Sequence, residues 1–229
     1  MTAAWQTDEG LAGRASAHAA LGEPARLAIV EALVASDRSP KELGTLLDLP
    51  SNLLAHHLEV LEHAGLISRS PSDGDGRRKY VQLVRRVAAQ FGVAGRGPVG
   101  EMLFVCTHNS ARSQLAAALW TARTGRRARS AGTRPAPRVH RGAVAAARRA
   151  GLSLAGATPA ALAAVPAGVQ VVTVCDLVHE ELDVAPGWWH WSINDPVPRG
   201  DAAAFDAVVV ELGERIASLT GAGEGGGVR

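Results

Sequence analysis

From Glu23 onward the apolar positions fall at helical spacing. Leu27, Val30 and Leu33 or Val34 share one face of a helix that opens on Pro24, whose fixed φ suits a first turn. Pro40–Asp48 repeats that texture over a shorter run, and Leu49-Pro50-Ser51 is a turn. Ser51 is the candidate N-cap of a third helix, Asn52–Ala64, which Gly65 stops. Leu66–Ser70, a Pro/Asp/Gly turn over Pro71–Gly76 and a returning strand Arg77–Leu83 then read as a β-hairpin with a basic second strand. Further helices are expected around Gly10–Ala19 and Val84–Phe91.

The texture changes near Gly92–Gly100, where four glycines and a proline in nine residues read as a linker. Beyond it, apolar strands alternate with helical stretches, the pattern of an α/β layered fold. A strand over Met102–Val105 leads into a polar loop, and a helix opens at Arg112. Ala128–Thr133, a helix around Val139–Ala150 and a strand over Val169–Asp176 follow. A Trp-rich loop, an Asp195-Pro196 pair and a final helix Ala202–Leu219 complete the order. A parallel, flavodoxin-like sheet with a site at the carboxyl end of its first strand fits this order. The expected layout is a helical and hairpin domain over 1–91, a linker over 92–100, an α/β domain over 101–220 and a disordered Gly-rich tail over 221–229.

The segment Met102–Leu115 carries the chemistry. An apolar strand ends in Cys106, and Arg112 follows it six positions on, at the opening of the next helix. The backbone N–H groups of the intervening residues, Thr107, His108, Asn109, Ser110 and Ala111, can converge on a tetrahedral oxyanion, and the helix adds its positive end. That field favours a thiolate at Cys106. Arg112 can clamp two oxyanion oxygens with its planar fork. Asn109 suits a left-handed turn of the loop, and Ser113 can donate a hydroxyl hydrogen bond to the sulfur. The pattern predicts sulfur attack on phosphate or a phosphate mimic. The other reading of such a cysteine is a small buried hydrophobe.

Composition narrows the class. The chain has 229 residues, enough for two cores, and a formal charge of +2, so contact with DNA must come from a local patch. Two cysteines and no secretory or membrane-spanning pattern point to a reduced, cytoplasmic setting. No metal site is expected, since the adjacent His56 and His57 point in different directions on a helix.

Helix, helix-turn-helix and hairpin, in that order, make a winged-helix arrangement. Leu21–Leu27, His57–Ile67 and the Arg77–Leu83 strand resemble the arsenic-repressor (ArsR) family of dimeric winged-helix regulators. The resemblance implies that the Ser51–Ala64 helix enters the DNA major groove and that the wing meets backbone or minor groove. Ser51, Asn52 and His56 would then read bases, and Arg69, Arg77, Arg78 and Lys79 would meet phosphates. It also implies a homodimer, paired through its first and last helices, on a palindromic operator. Relatives that sense arsenite carry cysteines in the helix matching Pro40–Leu47; this chain has none there.

The second half resembles the low-molecular-weight tyrosine phosphatase family, in particular its arsenate reductase branch. The carrying residues are Cys106–Ser113, Ser130–Thr133, Val139-His140, Ala150–Leu152, Val172–Asp176 and Trp191–Pro196. The resemblance makes Asp195 a general acid that protonates the leaving oxygen. A reductase would follow the first attack with a second thiol, release arsenite and leave a disulfide. Thioredoxin-coupled relatives carry two further cysteines seven residues apart. Cys175 matches the first, but Leu182 stands at the second. The favoured route is therefore direct attack by a low-molecular-weight thiol such as mycothiol, with mycoredoxin or thioredoxin as reductant and no bound cofactor. Cys175 remains a possible redox thiol or a buried strand-end residue. The potassium-site carboxylate of some reductases falls at Ala117, so no such ion is expected. Phosphatases of this fold place tyrosines near the acid, whereas the sole tyrosine here is Tyr80, in the wing. The leading expectation is a fused transcriptional regulator and arsenate reductase. The alternatives are a tyrosine phosphatase and a DNA-binding oxyanion or redox sensor with little turnover.

Overall fold

The computed structural model describes residues 9–93, 100–182 and 187–220. Most of the expected linker and the whole expected tail lie outside these residues. Two compact units form. One gathers the chain up to Ser70 together with the segment from Lys79; the other gathers the second half together with the short segment Pro71–Arg78.

The first unit holds α1 (Glu9–Leu21), α2 (Pro24–Ala35), α3 (Pro40–Leu47), α4 (Ser51–His63), strands β1 (Ile67–Pro71) and β2 (Lys79–Leu83), and α5 (Arg85–Ala89). Pro24 opens α2 as expected. Glu23 caps it, its carboxylate accepting from the amides of Ala25 and Arg26. Those amides, Arg26 foremost, hold the Glu23 carboxyl below its ordinary range. The buried face is Ile29, Val30, Leu33 and Val34; Leu27 lies on the surface, a turn outside the stripe. Ser39 and Glu42 form a reciprocal capping box at the start of α3, and Asp48 closes that helix at φ 51°. Ser51 is not a cap. The cap is Pro50, and Ser51 is already the first residue of α4, because Pro50 supplies the extended backbone that leads into the helix. Leu54, His57, Leu58 and Leu61 face the core, and Gly65 turns the chain at φ 69°. A buried pair, Asp37 and Arg85 (3.9 Å), ties the end of α2 to α5.

In the second unit, β3 (Met102–Cys106) is buried throughout. It pairs in parallel with β4 (Ala128–Gly132) on one side and β5 (Gln170–Thr173) on the other, and β5 pairs in parallel with β6 (Trp189–His190). The strand order β4-β3-β5-β6 makes β3 the switch point, from which the chain departs first to one side and later to the other. The helices α6 (Arg112–Thr124), α7 (Arg141–Arg149), α8 (Asp176–Glu181) and α9 (Ala202–Thr220) flank the sheet. α6 packs on β3, β4 and α9, α9 packs on α7, and α8 packs on β3 and β5. This is the expected α/β domain with one correction: two residues of the Trp-rich stretch form strand β6. Phe104, Trp120 and Trp191 fill the core beneath it, with ring centroids 5.6–6.4 Å apart.

Candidate active site and helix-turn-helix face

Cys106 is the last residue of β3, and Arg112 is the first of α6. The loop between them is shaped by the segment that follows β4. The carbonyls of Cys106, Thr107, His108 and Ser110 accept from the amides of Thr133, Arg134, Ala136 and His140. In a planar trans peptide, each carbonyl and the next N–H point in opposite directions. Four outward carbonyls therefore turn the N–H groups of Thr107, His108, Asn109 and Ala111 away from the 133–140 segment. Asn109 illustrates the result: its N–H donates to Cys106 Sγ at 3.2 Å.

The tight turn needs Asn109 at φ 48°, as its residue type suggested. Its side chain is held from every side. Nδ2 donates to Ser113 Oγ (2.8 Å), while Oδ1 accepts from the amide of Ala160 (2.9 Å) and from Gln114 Nε2 (3.1 Å). Gln114 Nε2 also reaches the Asn109 carbonyl. Gln114 escaped the sequence reading, since a polar residue in the first turn of a helix looks like ordinary surface. Ser113 Oγ, fully buried, lies 3.0 Å from Cys106 Sγ. Gly132 completes the packing: a Cβ there would come within 2.7 Å of the Thr107 carbonyl oxygen and 3.0 Å of Asn109 N.

Arg112 is buried, and its fork is directed at the acid loop. One terminal nitrogen donates to the Ile193 carbonyl (2.9 Å) and the other to Asp195 Oδ2 (3.0 Å). Asp195 Oδ1 accepts from the amide of Val197. Cys106, Asn109, Arg112, Ser113 and Asp195 thus converge around the end of β3. Cys175, buried at the start of α8, lies with its Sγ 3.2 Å from Thr107 Oγ1, against the loop.

Behind the loop sits a buried polar cluster that the sequence did not announce. Asp176 Oδ1 lies 3.0 Å from His190 Nε2, and its Oδ2 accepts from Ser192 Oγ and from the amide of Asp73. Thr173 Oγ1 lies 2.9 Å from His190 Nδ1, and the ring of His179 stacks on that of His190. Burial works to raise the Asp176 carboxyl. The His190 hydrogen bond and charge, with the Asp73 amide and Ser192, outweigh it and hold Asp176 below the ordinary carboxylate range. Among the described residues no group of three or more His, Cys, Asp or Glu is placed to hold a metal ion, and no helix is long and apolar enough to cross a membrane.

The other candidates lie on α4 and the hairpin. Ser51, Asn52 and His56 are exposed on α4, while His57 turns inward, 3.6 Å from Glu23. Arg69 pairs with Glu62 (3.2 Å). Arg77 and Arg78 precede β2 rather than belonging to it, because the turn runs longer than expected. Arg77 pairs with Asp75, and Arg78 lies 3.7 Å from Glu180. Lys79 is exposed at the start of β2. The wing cations are thus partly engaged by carboxylates of the same chain.

A parallel sheet with a Cys-X5-Arg loop at its switch point, flanked by helices and preceded by a helix-turn-helix unit, defines a DNA-binding domain fused to a phosphatase-like enzyme domain. The family described as low molecular weight phosphotyrosine protein phosphatase matches residues 101–223, more than half of the chain, and the chain belongs to it. A helix-turn-helix domain of ArsR type matches residues 21–69. No curated protein matches the chain. Similar solved structures include an arsenate reductase from Archaeoglobus fulgidus (31% identity, 52% of this chain and 98% of that one, TM-score 0.45). An arsenate reductase in a phosphate-binding state (24%, 53% and 96%, 0.47) and a tyrosine phosphatase from Erwinia amylovora (23%, 54% and 93%, 0.47) are also similar.

Proposed function

We propose that this protein is a thiol-dependent arsenate reductase joined to a DNA-binding regulator. The observation that carries the reading is the buried arrangement of Cys106, Ser113 and the Asn109 amide, with Arg112 and Asp195 at one end of it. Donors aimed at the sulfur favour its anion, and the loop amides with the Arg112 fork complement a tetrahedral oxyanion.

In the first step the Cys106 thiolate attacks arsenic, an S–As bond forms and an As–O bond breaks. Asp195 supplies the proton that lets this oxygen leave as water. An external thiolate then attacks the Cys106 sulfur. The electron pair of the S–As bond stays with arsenic, which passes from As(V) to As(III) and departs as arsenite. A second external thiol exchanges with the mixed disulfide, giving the oxidised thiol and restoring Cys106. Mycothiol is the external thiol proposed, with mycoredoxin or thioredoxin to recycle it. Cys175 abuts the loop through Thr107, which makes it the internal candidate if the external route fails.

The phosphatase reading differs only in the second step, where water would hydrolyse a phosphocysteine. Against it stands the position of Tyr80: the single tyrosine is wholly buried in β2, so no tyrosine flanks Asp195 for an aryl phosphate to rest on. On the first unit, the exposed face of α4 with Ser51, Asn52 and His56 is the proposed base-reading surface. Lys79, Arg69, Arg77 and Arg78 are the proposed phosphate contacts. His18 and Phe91, with ring centroids 4.7 Å apart, bring the two ends of this unit together and support pairing of two copies there on a palindromic operator.

The test offers the full chain arsenate with mycothiol in one vessel and p-nitrophenyl phosphate in another. Arsenite release well above phosphate release is expected. Cys106-dependent phosphate release without arsenite would assign a phosphatase, and neither activity would assign a sensor.

A further inference from the structure

The turn between β1 and β2 is fastened to the acid side of the oxyanion site. Pro71–Arg78 groups with the second unit, although both of its flanking strands belong to the helix-turn-helix unit. Ser72 Oγ donates to Glu180 Oε1 (2.7 Å), and the Asp75 amide donates to Glu180 Oε2 (2.9 Å). The Asp73 amide donates to the buried Asp176 carboxylate (2.9 Å), and Asp73 Oδ2 accepts from the backbone N–H of Asp195 (3.0 Å). The fit leaves no room for a side chain at Gly74, where a Cβ would meet Glu180 Oε2 at 2.6 Å and the Leu177 backbone at 3.2 Å. Hydrogen bonding and steric fit therefore agree independently that this turn is seated on α8 and on residue 195.

Asp195 is held at both ends. Its side chain is paired with Arg112 and its N–H is bonded to Asp73. An oxyanion competes directly for the Arg112 fork, since a dianion between the loop amides and Arg112 is a stronger partner than one carboxylate. Once Arg112 turns to the oxyanion, Asp195 loses its ion partner beside an arriving negative charge and must move or take a proton. Its peptide moves with it, and the bond to Asp73 is the one at stake.

We propose that the β1–β2 turn reports occupancy of the oxyanion site to the helix-turn-helix unit. Oxyanion binding at Arg112 releases Asp73 from Asp195 and loosens the turn, and the continuous strands β1 and β2 carry the change into the DNA-binding unit. The inference rests on the oxyanion-site reading above. By reciprocity, whatever factor the oxyanion imposes on DNA affinity, DNA imposes on oxyanion affinity.

The experiment uses the full chain, inorganic phosphate as an unreactive probe, and hydrogen exchange of the 72–78 amides. Calorimetry first records phosphate binding. At saturating phosphate the amides of Asp73 and Asp75 exchange faster in the wild type. In Asp73→Ala the phosphate-dependent change disappears. This variant also binds phosphate about 5-fold or more tightly, because the turn no longer has to be released. Gly74→Val, which forces the turn off α8 by bulk alone, tightens phosphate binding in the same direction. A DNA duplex selected from a random pool on the full chain shows a phosphate-dependent change in affinity of about 5-fold or more that Asp73→Ala abolishes. Phosphate binding with unaltered exchange at the turn, or with equal affinities in the wild type and both variants, overturns the inference and leaves the site reading standing. No phosphate binding at all overturns both.

Discussion

Ser113 Oγ lies 3.0 Å from Cys106 Sγ, and the Asn109 side-chain amide holds that hydroxyl from its other side. The amide can only donate to Ser113, so the hydroxyl's own hydrogen is free to point at sulfur. A buried sulfur with two donors aimed at it is an environment built for an anion rather than for an inert core thiol.

Ser113→Ala removes one of those donors without adding bulk. A hydrogen bond to a charged group contributes about 1.5–3 kcal/mol, so kcat/KM for arsenate falls roughly 10- to 100-fold. Steady-state kinetics on a variant with an unchanged circular dichroism spectrum checks this. An unaltered rate would show that the hydroxyl does not serve the sulfur.

Asp195→Asn keeps the shape of the acid loop and removes its proton. The expected loss in kcat is about 100- to 10,000-fold, the range for a positioned general acid. Phosphate affinity measured by calorimetry does not fall with it, since the carboxylate that competes for Arg112 is gone. A variant that lost affinity and kcat together would make Asp195 a binding residue instead.

Gly132→Ala places a methyl group where only 2.7 Å separates it from the Thr107 carbonyl oxygen. That neighbour is backbone, so the loop must shift. Phosphate binding is expected to weaken at least about 10-fold, with thermal stability lowered by an amount on the order of 1–3 kcal/mol. Calorimetry and thermal melts read the two effects separately.

Asp176 gives the second unit an acid sensitivity. Its folded carboxyl titrates below the ordinary aspartate value of about 3.9, so its contribution to stability is complete above that value. The contribution is lost as pH falls from there through the depressed folded value, because the unfolded chain then binds the proton more readily. Melting temperatures of the wild type should drop across that acid window. Asp176→Asn should be less stable at neutral pH and flatter below it.

Much of this was legible in the chain. The Cys106–Arg112 loop, Asn109 in its left-handed turn, Ser113 against sulfur and the order of helices and strands all follow from local pattern, because loop and helix start are encoded within a dozen consecutive residues. What escaped depends on distant partners. Leu27 matches the helical stripe but lies outside it, since the docking angle of α2 decides which apolar residues face inward. Trp189-His190 became a strand only because β5 offers it a parallel edge. The Asp176, His190 and Ser192 cluster joins residues up to sixteen positions apart across β5 and β6. Gln114 and Asp73 look like surface until the backbone each one holds is in view.

The central claim is that Cys106 reduces arsenate with electrons from an external thiol. The most direct measurement is arsenite released per turnover, with mycothiol and mycoredoxin supplied, for the wild type, Cys106→Ser and Cys175→Ser. The account predicts sustained release in the wild type, none in Cys106→Ser, and release within a few-fold of wild type in Cys175→Ser. Release that survives in Cys106→Ser, or that is absent from the wild type under these conditions, would contradict it.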